Sequence, residues 1–142
     1  MADARAAAIQ LIEHYYAAFN AGDMDAFTGL LTDDVVHDIN QGARETGKAA
    51  FARFIQRMNG AYRERLTALS ILASDDGTRA SAEFVVHGEY LRSDEGLPPA
   101  RGQKYVLPAG AFFEIRAGKV ARISNYYTLQ DWISQVEHGA LT

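Results

Sequence analysis

The sequence predicts an α+β protein, in which N-terminal helices pack on a strongly curved, mainly antiparallel β-sheet. Apolar residues recur at helical spacing in roughly the first 60 residues, whereas the segments that follow are long, β-prone and separated mostly by short turns. Helices followed by a run of strands are typical of the α+β class. The chain has 142 residues and no internal repeat or linker-like stretch, which predicts one domain over residues 1–142.

The first helix is expected in RAAAIQLIEHYYAAFNAGD, residues 5–23. Its apolar positions recur every three or four residues, and a glycine near its end supplies a stop signal. Asp23 is then in position to cap a short second helix, DMDAFTGLL, which Asp33 and Asp34 are expected to close. The sequence therefore begins with two helices.

A short strand is expected in DDVVHDINQG, residues 33–42, where Asp38 follows an apolar pair and a histidine. A carboxylate is unfavourable inside a strand, so Asp38 either ends the strand in water or points into a cavity and takes part in chemistry. His37 alternates away from Asp38 and is interpreted as structural. A third helix follows in TGKAAFARFIQRMNG, residues 46–60, with an apolar stripe of Phe51, Phe54, Ile55 and Met58.

Four long strands are predicted after residue 60, in AYRERLTALSILAS, TRASAEFVVHGEYL, QKYVLPAGAFFEIR and KVARISNYY. Tight turns at DDG and at Ala117-Gly118 join two of the pairs, which predicts an antiparallel meander. The loop LRSDEGLPPARGQ between the second and third strands is long enough to be a functional lid or a solvated excursion. LQDWISQVEHG is expected to form a last helix, with Trp132 packing it on the sheet.

The composition excludes several functional classes. A net charge of −4 without a run of Lys or Arg argues against binding to nucleic acid or to an anionic membrane. The chain has no cysteine, so a disulfide, a thiolate nucleophile and a cysteine metal site are all excluded. The four histidines show no metal-ligand spacing, and no phosphate-binding or dinucleotide-binding motif is present, so we expect neither a metal nor a cofactor. The N-terminus lacks the layout of a signal peptide, which predicts a cytoplasmic location.

The segment YYAAFNAGDMDAFTGLLTDDVVHD resembles the start of the nuclear transport factor 2-like superfamily, and YVLPAGAFFEIRAGKVARISNYYTLQDW resembles its last two strands. The resemblance covers essentially the whole chain and is closest to the SnoaL-like and ketosteroid isomerase-related proteins. It implies a cone-shaped α+β barrel with a pocket inside. Because this fold carries enzymes, binding proteins and transport factors, the resemblance alone does not decide the activity.

The ketosteroid isomerase resemblance implies roles for individual residues. Asp38 falls at the position of the catalytic base, when a one-residue gap is allowed, and Tyr15 falls where the family has a tyrosine donor. The position of the family's proton-donating aspartate falls on or beside Ala111, so that donor is missing here. True steroid isomerisation is therefore in question, and the missing acid favours the alternative of a non-catalytic binding module.

The same register predicts which strand residues face the pocket. If Ala111 points inward, so do Tyr105 and Leu107, and on the last strand Asn125 and Tyr127. Phe19 and Phe54 are expected to line the pocket from the helices. On the strand over residues 78–91, apolar composition favours an inward face of Ala82, Phe84, Val86 and Tyr90, whereas the family register favours the face that carries His87. His87 would then be an acid partner of Asp38.

These observations lead to a hypothesis of a cofactor-free enzyme acting on a small hydrophobic, cyclic carbonyl compound. Asp38 would move a proton next to the carbonyl group, with Tyr15 and Asn125 or His87 stabilising the enolate-like charge. Isomerase, cyclase and dehydratase reactions share this step. The alternatives are a non-catalytic binding or assembly module and an epoxide hydrolase, although Arg101 and Arg122 are poorly placed for the latter. An apolar outer face of Val106, Pro108, Phe112 and Tyr126 predicts a homodimer formed through the sheet.

Overall fold

Helices begin and end the described part of the chain, and the strands lie between them. The computed structural model describes residues 3–40 and 42–138 of the chain. Within these residues the helices are α1 (Ala4–Ala21), α2 (Met24–Gly29), α3 (Lys48–Ala61) and α4 (Leu129–His138). The strands are β1 (Leu31–Asp38), β2 (Arg44–Thr46), β3 (Tyr62–Ala73), β4 (Arg79–Tyr90), β5 (Gln103–Arg116) and β6 (Lys119–Tyr127).

The six strands of the described residues form one curved sheet in the order β2-β1-β6-β5-β4-β3. All neighbouring pairs are antiparallel except β1 and β6, which pair in parallel. The prediction of an α+β fold with a mainly antiparallel sheet is therefore confirmed. The sheet remains unclosed, with β2 and β3 at its edges, so it is not a complete barrel.

Short-range polar contacts fix the ends of the first two helices. The side chain of Asp3 accepts a hydrogen bond from the Arg5 backbone N–H at 3.0 Å, which caps α1. Gly22 ends this helix with a φ of 69°, a left-handed conformation that glycine adopts without a steric penalty. Asp23 accepts from the Ala26 backbone N–H at 3.1 Å, and the predicted cap of α2 is confirmed.

The segment after α2 differs from the sequence-based expectation. Asp33 and Asp34 do not close the helix, because β1 already begins at Leu31 and contains both aspartates. The register of β1 against β6 shifts between Leu31 and Val36, and both aspartates are exposed at this irregularity. The short strand β2 was not predicted, since three residues are too few to show an alternating pattern.

The burial pattern of β4 settles which of its faces is inward. Ala82, Phe84, Val86 and Tyr90 are all buried, whereas Glu83 and His87 are exposed. The interpretation from apolar composition was therefore right, and the one from the family register was wrong. The buried face packs under α1, whose Ile12, Tyr15 and Tyr16 belong to the same hydrophobic core.

Candidate active site

An apolar cavity of about 310 Å³ lies between the helices and the inner face of the sheet. Most of its wall is aromatic or aliphatic, contributed by α1, α2, α3 and the inward residues of β3 to β6. Its size and composition are typical of sites for small organic molecules. The apolar part of the wall includes Phe19, Phe27, Phe51, Phe54, Val86 and Leu107.

A carboxyl group interrupts this apolar wall on β3. Glu64 lies on the same face of its strand as the buried Leu66, and both residues line the cavity. The cross-strand register places Glu64 opposite Gly88 on β4, and Gly88 opposite Tyr105 on β5. These three residues thus form one row across the sheet.

The glycine in this row allows a contact between its two outer members. A Cβ atom on Gly88 would lie 2.2 Å from Cζ of Tyr105, so the tyrosine ring occupies the space above β4 that a side chain would fill. The Tyr105 hydroxyl then donates a hydrogen bond of 2.5 Å to Oε2 of Glu64. Because residue 88 has no side chain, Tyr105 can reach Glu64 and position its carboxyl group.

The environment of Glu64 favours its protonated form. Burial raises the pKa of this carboxyl group, and the hydrogen bond from Tyr105 opposes the rise only in part. Burial also raises the pKa of Tyr105, helped by the neighbouring carboxyl group, so the phenol keeps its proton and remains a donor. A carboxylic acid in an apolar cavity can donate a proton or a hydrogen bond to a bound molecule.

The loop between β4 and β5 closes one end of the cavity. Tyr62 Oη donates to Oδ2 of Asp94 at 2.9 Å, and Arg57 Nη1 lies 3.6 Å from Oδ1 of the same carboxylate. The Tyr90 hydroxyl donates to the Pro98 carbonyl oxygen at 2.7 Å. Asp94 and Leu97 are part of the cavity wall, so this loop helps to shape the cavity.

Asp38 does not reach the cavity, and its predicted placement is wrong. Its carboxylate accepts hydrogen bonds from Arg44 Nε at 2.6 Å and from Arg122 Nη1 at 3.0 Å. Arg122 also binds Glu114, so the group is an ionic network on the outer face of the sheet. The hydrogen bonds from Arg44 and then Arg122 lower the pKa of Asp38. Arg122 therefore lies outside the cavity. This agrees with the expectation from the sequence that Arg122 is poorly placed for an epoxide hydrolase site.

The physical reason for this placement is the alternation of side chains along β1. Val35 and His37 are buried on the inner face, and Asp38, next in sequence, necessarily points the other way. The one-residue gap allowed in the family comparison therefore placed the predicted base on an outward-facing residue. His37 is therefore in the cavity wall, contrary to its interpretation as a structural residue on the opposite face.

Two other predicted residues are also displaced from the cavity. His87 is exposed on the outer face of β4, where its Nε2 lies 3.0 Å from the Thr67 hydroxyl, so it cannot be a partner inside the cavity. Tyr105 is buried on the inner side as predicted, but it lies behind Glu64 rather than in the wall itself. Tyr105 would therefore act on a ligand only indirectly, by orienting the carboxyl group of Glu64.

The remaining predicted residues meet in the cavity wall, although their roles stay predictions. These wall residues are Tyr15, Phe19, Phe54, Leu107, Asn125 and Tyr127. Burial raises the pKa of Tyr15, so its hydroxyl keeps its proton.

The sequence contained a signal for the two groups that were missed. In YRERL, Glu64 alternates in phase with Tyr62 and Leu66, and in VVHDI, His37 alternates in phase with Val35. A polar residue in phase with an apolar face is a candidate for a cavity. Phase alone could not show that Gly88 admits the Tyr105 ring, because that contact joins three strands.

Residues 3–40 and 42–138 contain no group of three or more His, Cys, Asp or Glu side chains arranged to bind a metal ion. Within the same ranges, no helix has the length and apolar character needed to cross a membrane.

Helices packed on an open, curved sheet around an apolar cavity define the nuclear transport factor 2-like fold. The sequence profile of the SnoaL-like domain matches residues 12–123, and the chain belongs to this family. The resemblance to the superfamily is confirmed. No curated protein matches the chain in sequence.

Several solved structures are similar to this chain. A candidate polyketide cyclase from Pseudomonas putida KT2440 is 62% identical, with a TM-score of 0.90, over 91% of this chain and 97% of that protein. A candidate polyketide cyclase from Xanthomonas campestris pv. campestris is 57% identical, with a TM-score of 0.91, over 94% and 98% of the two chains. An LEH-like epoxide hydrolase of M. tuberculosis, 19% identical with a TM-score of 0.76 over 95% and 92%, shares the fold.

Proposed function

We propose that this protein is a cofactor-free proton-transfer enzyme of the isomerase or cyclase type, acting on a small hydrophobic, cyclic carbonyl compound. The observation that carries the proposal is the partly buried carboxyl group of Glu64, oriented by Tyr105 at the wall of an apolar cavity. The similarity to two candidate polyketide cyclases supports the same class of reaction.

Glu64 is the proton donor in this proposal. Formation of an enol from a ketone needs a donor at the carbonyl oxygen and an acceptor at the neighbouring carbon. Tyr105 occupies Oε2 of Glu64, so the proton resides on Oε1 and is offered to the carbonyl oxygen of the substrate. Burial raises the pKa of Glu64, which favours the protonated form that this role requires.

The other wall residues select and orient the substrate. A cavity of about 310 Å³ with a mainly aromatic wall favours a flat ring compound over a charged or extended one. The Tyr15 hydroxyl and the Asn125 amide supply further donors for charge that develops on the oxygen. Phe19, Phe54, Leu107 and Tyr127 contact the ring.

The outer face of the sheet is proposed to join two copies of the chain. Val106, Phe112 and Tyr126 are each about half exposed there, with fractions of 51%, 49% and 55%. The rings of Phe112 and Tyr126 pack edge to face, with centroids 5.6 Å apart, so they form one patch. Apolar groups of this size on one sheet face are typical of a homodimer interface.

The function is tested with 1-tetralone, a small bicyclic ketone, in D₂O. Wild type is expected to accelerate deuterium incorporation next to the carbonyl group, followed by mass spectrometry. The Glu64→Gln variant should lose about 10²-fold or more of this acceleration, a typical contribution of one acid group. The matched control is Glu83→Gln, which changes an exposed glutamate on the outer face of β4.

Thermal-shift measurements with the same ketone distinguish the competing function. A ligand that binds the native state raises the unfolding temperature, whether or not it reacts. A wild-type protein that is stabilised by 1-tetralone and by other cyclic ketones, but exchanges no deuterium into any of them, would support a non-catalytic binding module instead.

A further inference from the structure

His37 is a buried, titratable residue that the mechanism above does not use. Only 2% of its surface is exposed, and it lies on the inner face of β1 in the cavity wall. Its imidazole stacks on Phe51 at a centroid distance of 4.4 Å and meets Phe54 edge to face at 4.6 Å. Two aromatic rings of α3 thus fix the plane of the imidazole.

The two nitrogens of this ring have different surroundings. Nδ1 lies 3.8 Å from Oε1 of Glu45, and both atoms are fully buried without a hydrogen-bond partner among the described residues. Nε2 is not among these buried atoms without a partner, and His37 lines the cavity, so we assign Nε2 to the cavity side. A buried polar atom without a partner is unfavourable, and two such atoms facing each other need only a small side-chain movement to pair.

The short strand β2 explains how Glu45 reaches this position. β2 pairs with β1 in a register that places Glu45 opposite His37 and Arg44 opposite Asp38. Directly opposed residues of an antiparallel pair share a face of the sheet. Glu45 therefore shares the face of His37, although its side chain is 39% exposed, and Arg44 shares the face of Asp38.

We propose that His37 is the base that accepts the carbon-bound proton in this cavity, and that Glu45 is its positioning residue. A hydrogen bond from Nδ1–H to Glu45 leaves the lone pair of Nε2 free to accept a proton. This arrangement deepens the proposed function and rests on it. Hydrogen bonds in catalytic sites are often long before a substrate binds, which fits the observed 3.8 Å separation.

The reaction moves two protons, one from the substrate to His37 and one from Glu64 to the substrate. Nε2 of His37 takes a proton from the carbon next to the carbonyl group, and the electrons of the C–H bond form a carbon–carbon double bond. The carbonyl π electrons move to the oxygen, which takes the proton of Glu64. The products are an enol, an imidazolium and a carboxylate, and both side chains recover their initial states when the protons return.

The charge environment of His37 suits a base. Burial lowers its pKa, and the nearby carboxylates of Glu45 and Asp38 oppose the shift only in part. Glu45 faces the His37 imidazole from β2, whereas the Asp38 side chain lies on the opposite, outer face of the sheet. The contacts from α3 are the uncharged rings of Phe51 and Phe54, and the residue opposite on β6 is Ile123. The ring is therefore neutral near pH 7, the form that accepts a proton.

The positioning role is tested first in the free protein by ¹⁵N NMR of the imidazole, with the signals assigned by comparison with His37→Gln. We expect the Nδ1–H tautomer in wild type. Glu45→Gln should lower the pKa of His37 by about one unit, because a nearby negative charge favours the imidazolium. Glu83→Gln, the control, should leave the signals unchanged. An Nε2–H tautomer in wild type, or a pKa of His37 that is the same in Glu45→Gln, would overturn the assignment.

The catalytic role is tested by the pH profile of deuterium exchange into 1-tetralone. The rate should rise with pH as His37 becomes neutral and fall again as Glu64 ionises. In Glu45→Gln the rise should move to lower pH by the shift that NMR records. His37→Gln should lose exchange while 1-tetralone still raises its unfolding temperature. Unchanged exchange in His37→Gln would refute the role of the base. If wild type exchanges no deuterium, the proposed function fails, whereas the NMR result still decides whether Glu45 positions His37.

Discussion

Tyr105 and Glu64 lie two strands apart, and the tyrosine hydroxyl crosses the intervening glycine to donate a 2.5 Å hydrogen bond to the carboxyl group. This contact connects the sequence to the chemistry. A glycine at residue 88 gives room for the ring, the ring orients the carboxyl group, and burial raises the pKa of the carboxyl group. Each step can be changed separately by one substitution.

Gly88→Ala should displace the Tyr105 ring. The new Cβ would lie 2.2 Å from Cζ of Tyr105, much closer than any real contact allows. We expect the free energy of unfolding to fall by about 1–3 kcal/mol, the usual effect of overpacking, together with weaker binding of 1-tetralone. Urea denaturation measures the first effect. Gly29→Ala is the control, since a Cβ there meets no atom within 4 Å, and equal stabilities of the two variants would contradict this account.

Glu64→Gln should change how stability depends on pH. The folded pKa of Glu64 is raised above its unfolded value, so the folded state binds the proton more tightly. This contribution to the free energy of unfolding is complete below the unfolded pKa and is lost as the pH rises through the folded pKa. The Glu64→Gln variant should not show this decrease in the free energy of unfolding as the pH rises. Urea denaturation at a series of pH values tests this, and parallel curves for wild type and variant would argue against a raised pKa.

Asp38→Asn should affect stability rather than the cavity. The pKa of Asp38 is lowered by Arg44 and Arg122, so its contribution to stability is present above the unfolded pKa and is lost as the pH falls through the folded pKa. The variant should be less stable than wild type at neutral pH and lose less stability in acid. Deuterium exchange into 1-tetralone should match wild type, and a loss of exchange with the fold intact would restore Asp38 as the base.

Phe112→Glu should separate the proposed homodimer. A charge in the middle of the outer patch would be buried without a partner when two copies meet. We expect wild type to sediment as a dimer at micromolar concentration and the variant as a monomer. Leu72→Glu is the matched control, because Leu72 is 67% exposed on the edge strand β3, away from the patch. A wild type that sediments as a monomer would contradict the proposal.

The fold could be predicted from the sequence because its signals are long. α1 carries its apolar stripe over 18 residues, and β4 alternates over 12, so a small error in a boundary leaves the element recognisable. The site depends on single residues. A one-residue displacement on β1 exchanges His37 for Asp38, and it moves the predicted base from the cavity to the outer face.

Contacts between distant strands explain the rest of the difference. Glu64 and Tyr105 are 41 residues apart in sequence, and their pairing depends on the register of two strand pairs. Glu45 lies on a strand of three residues, which is too short to be read from alternation. Leu107, Asn125 and Tyr127 nevertheless lie in the cavity wall as predicted, because the family register combined with strand alternation gave the inward faces of β5 and β6.

The most direct test of the central claim is the titration of the Glu64 side chain, followed by ¹³C NMR of its carboxyl carbon and assigned with Glu64→Gln. The account predicts a midpoint above the ordinary range of glutamate, because the carboxyl group is buried in the cavity wall and only Tyr105 opposes the shift. A midpoint at or below the ordinary value would show an ionised carboxylate that cannot donate a proton, and it would contradict the proposed mechanism.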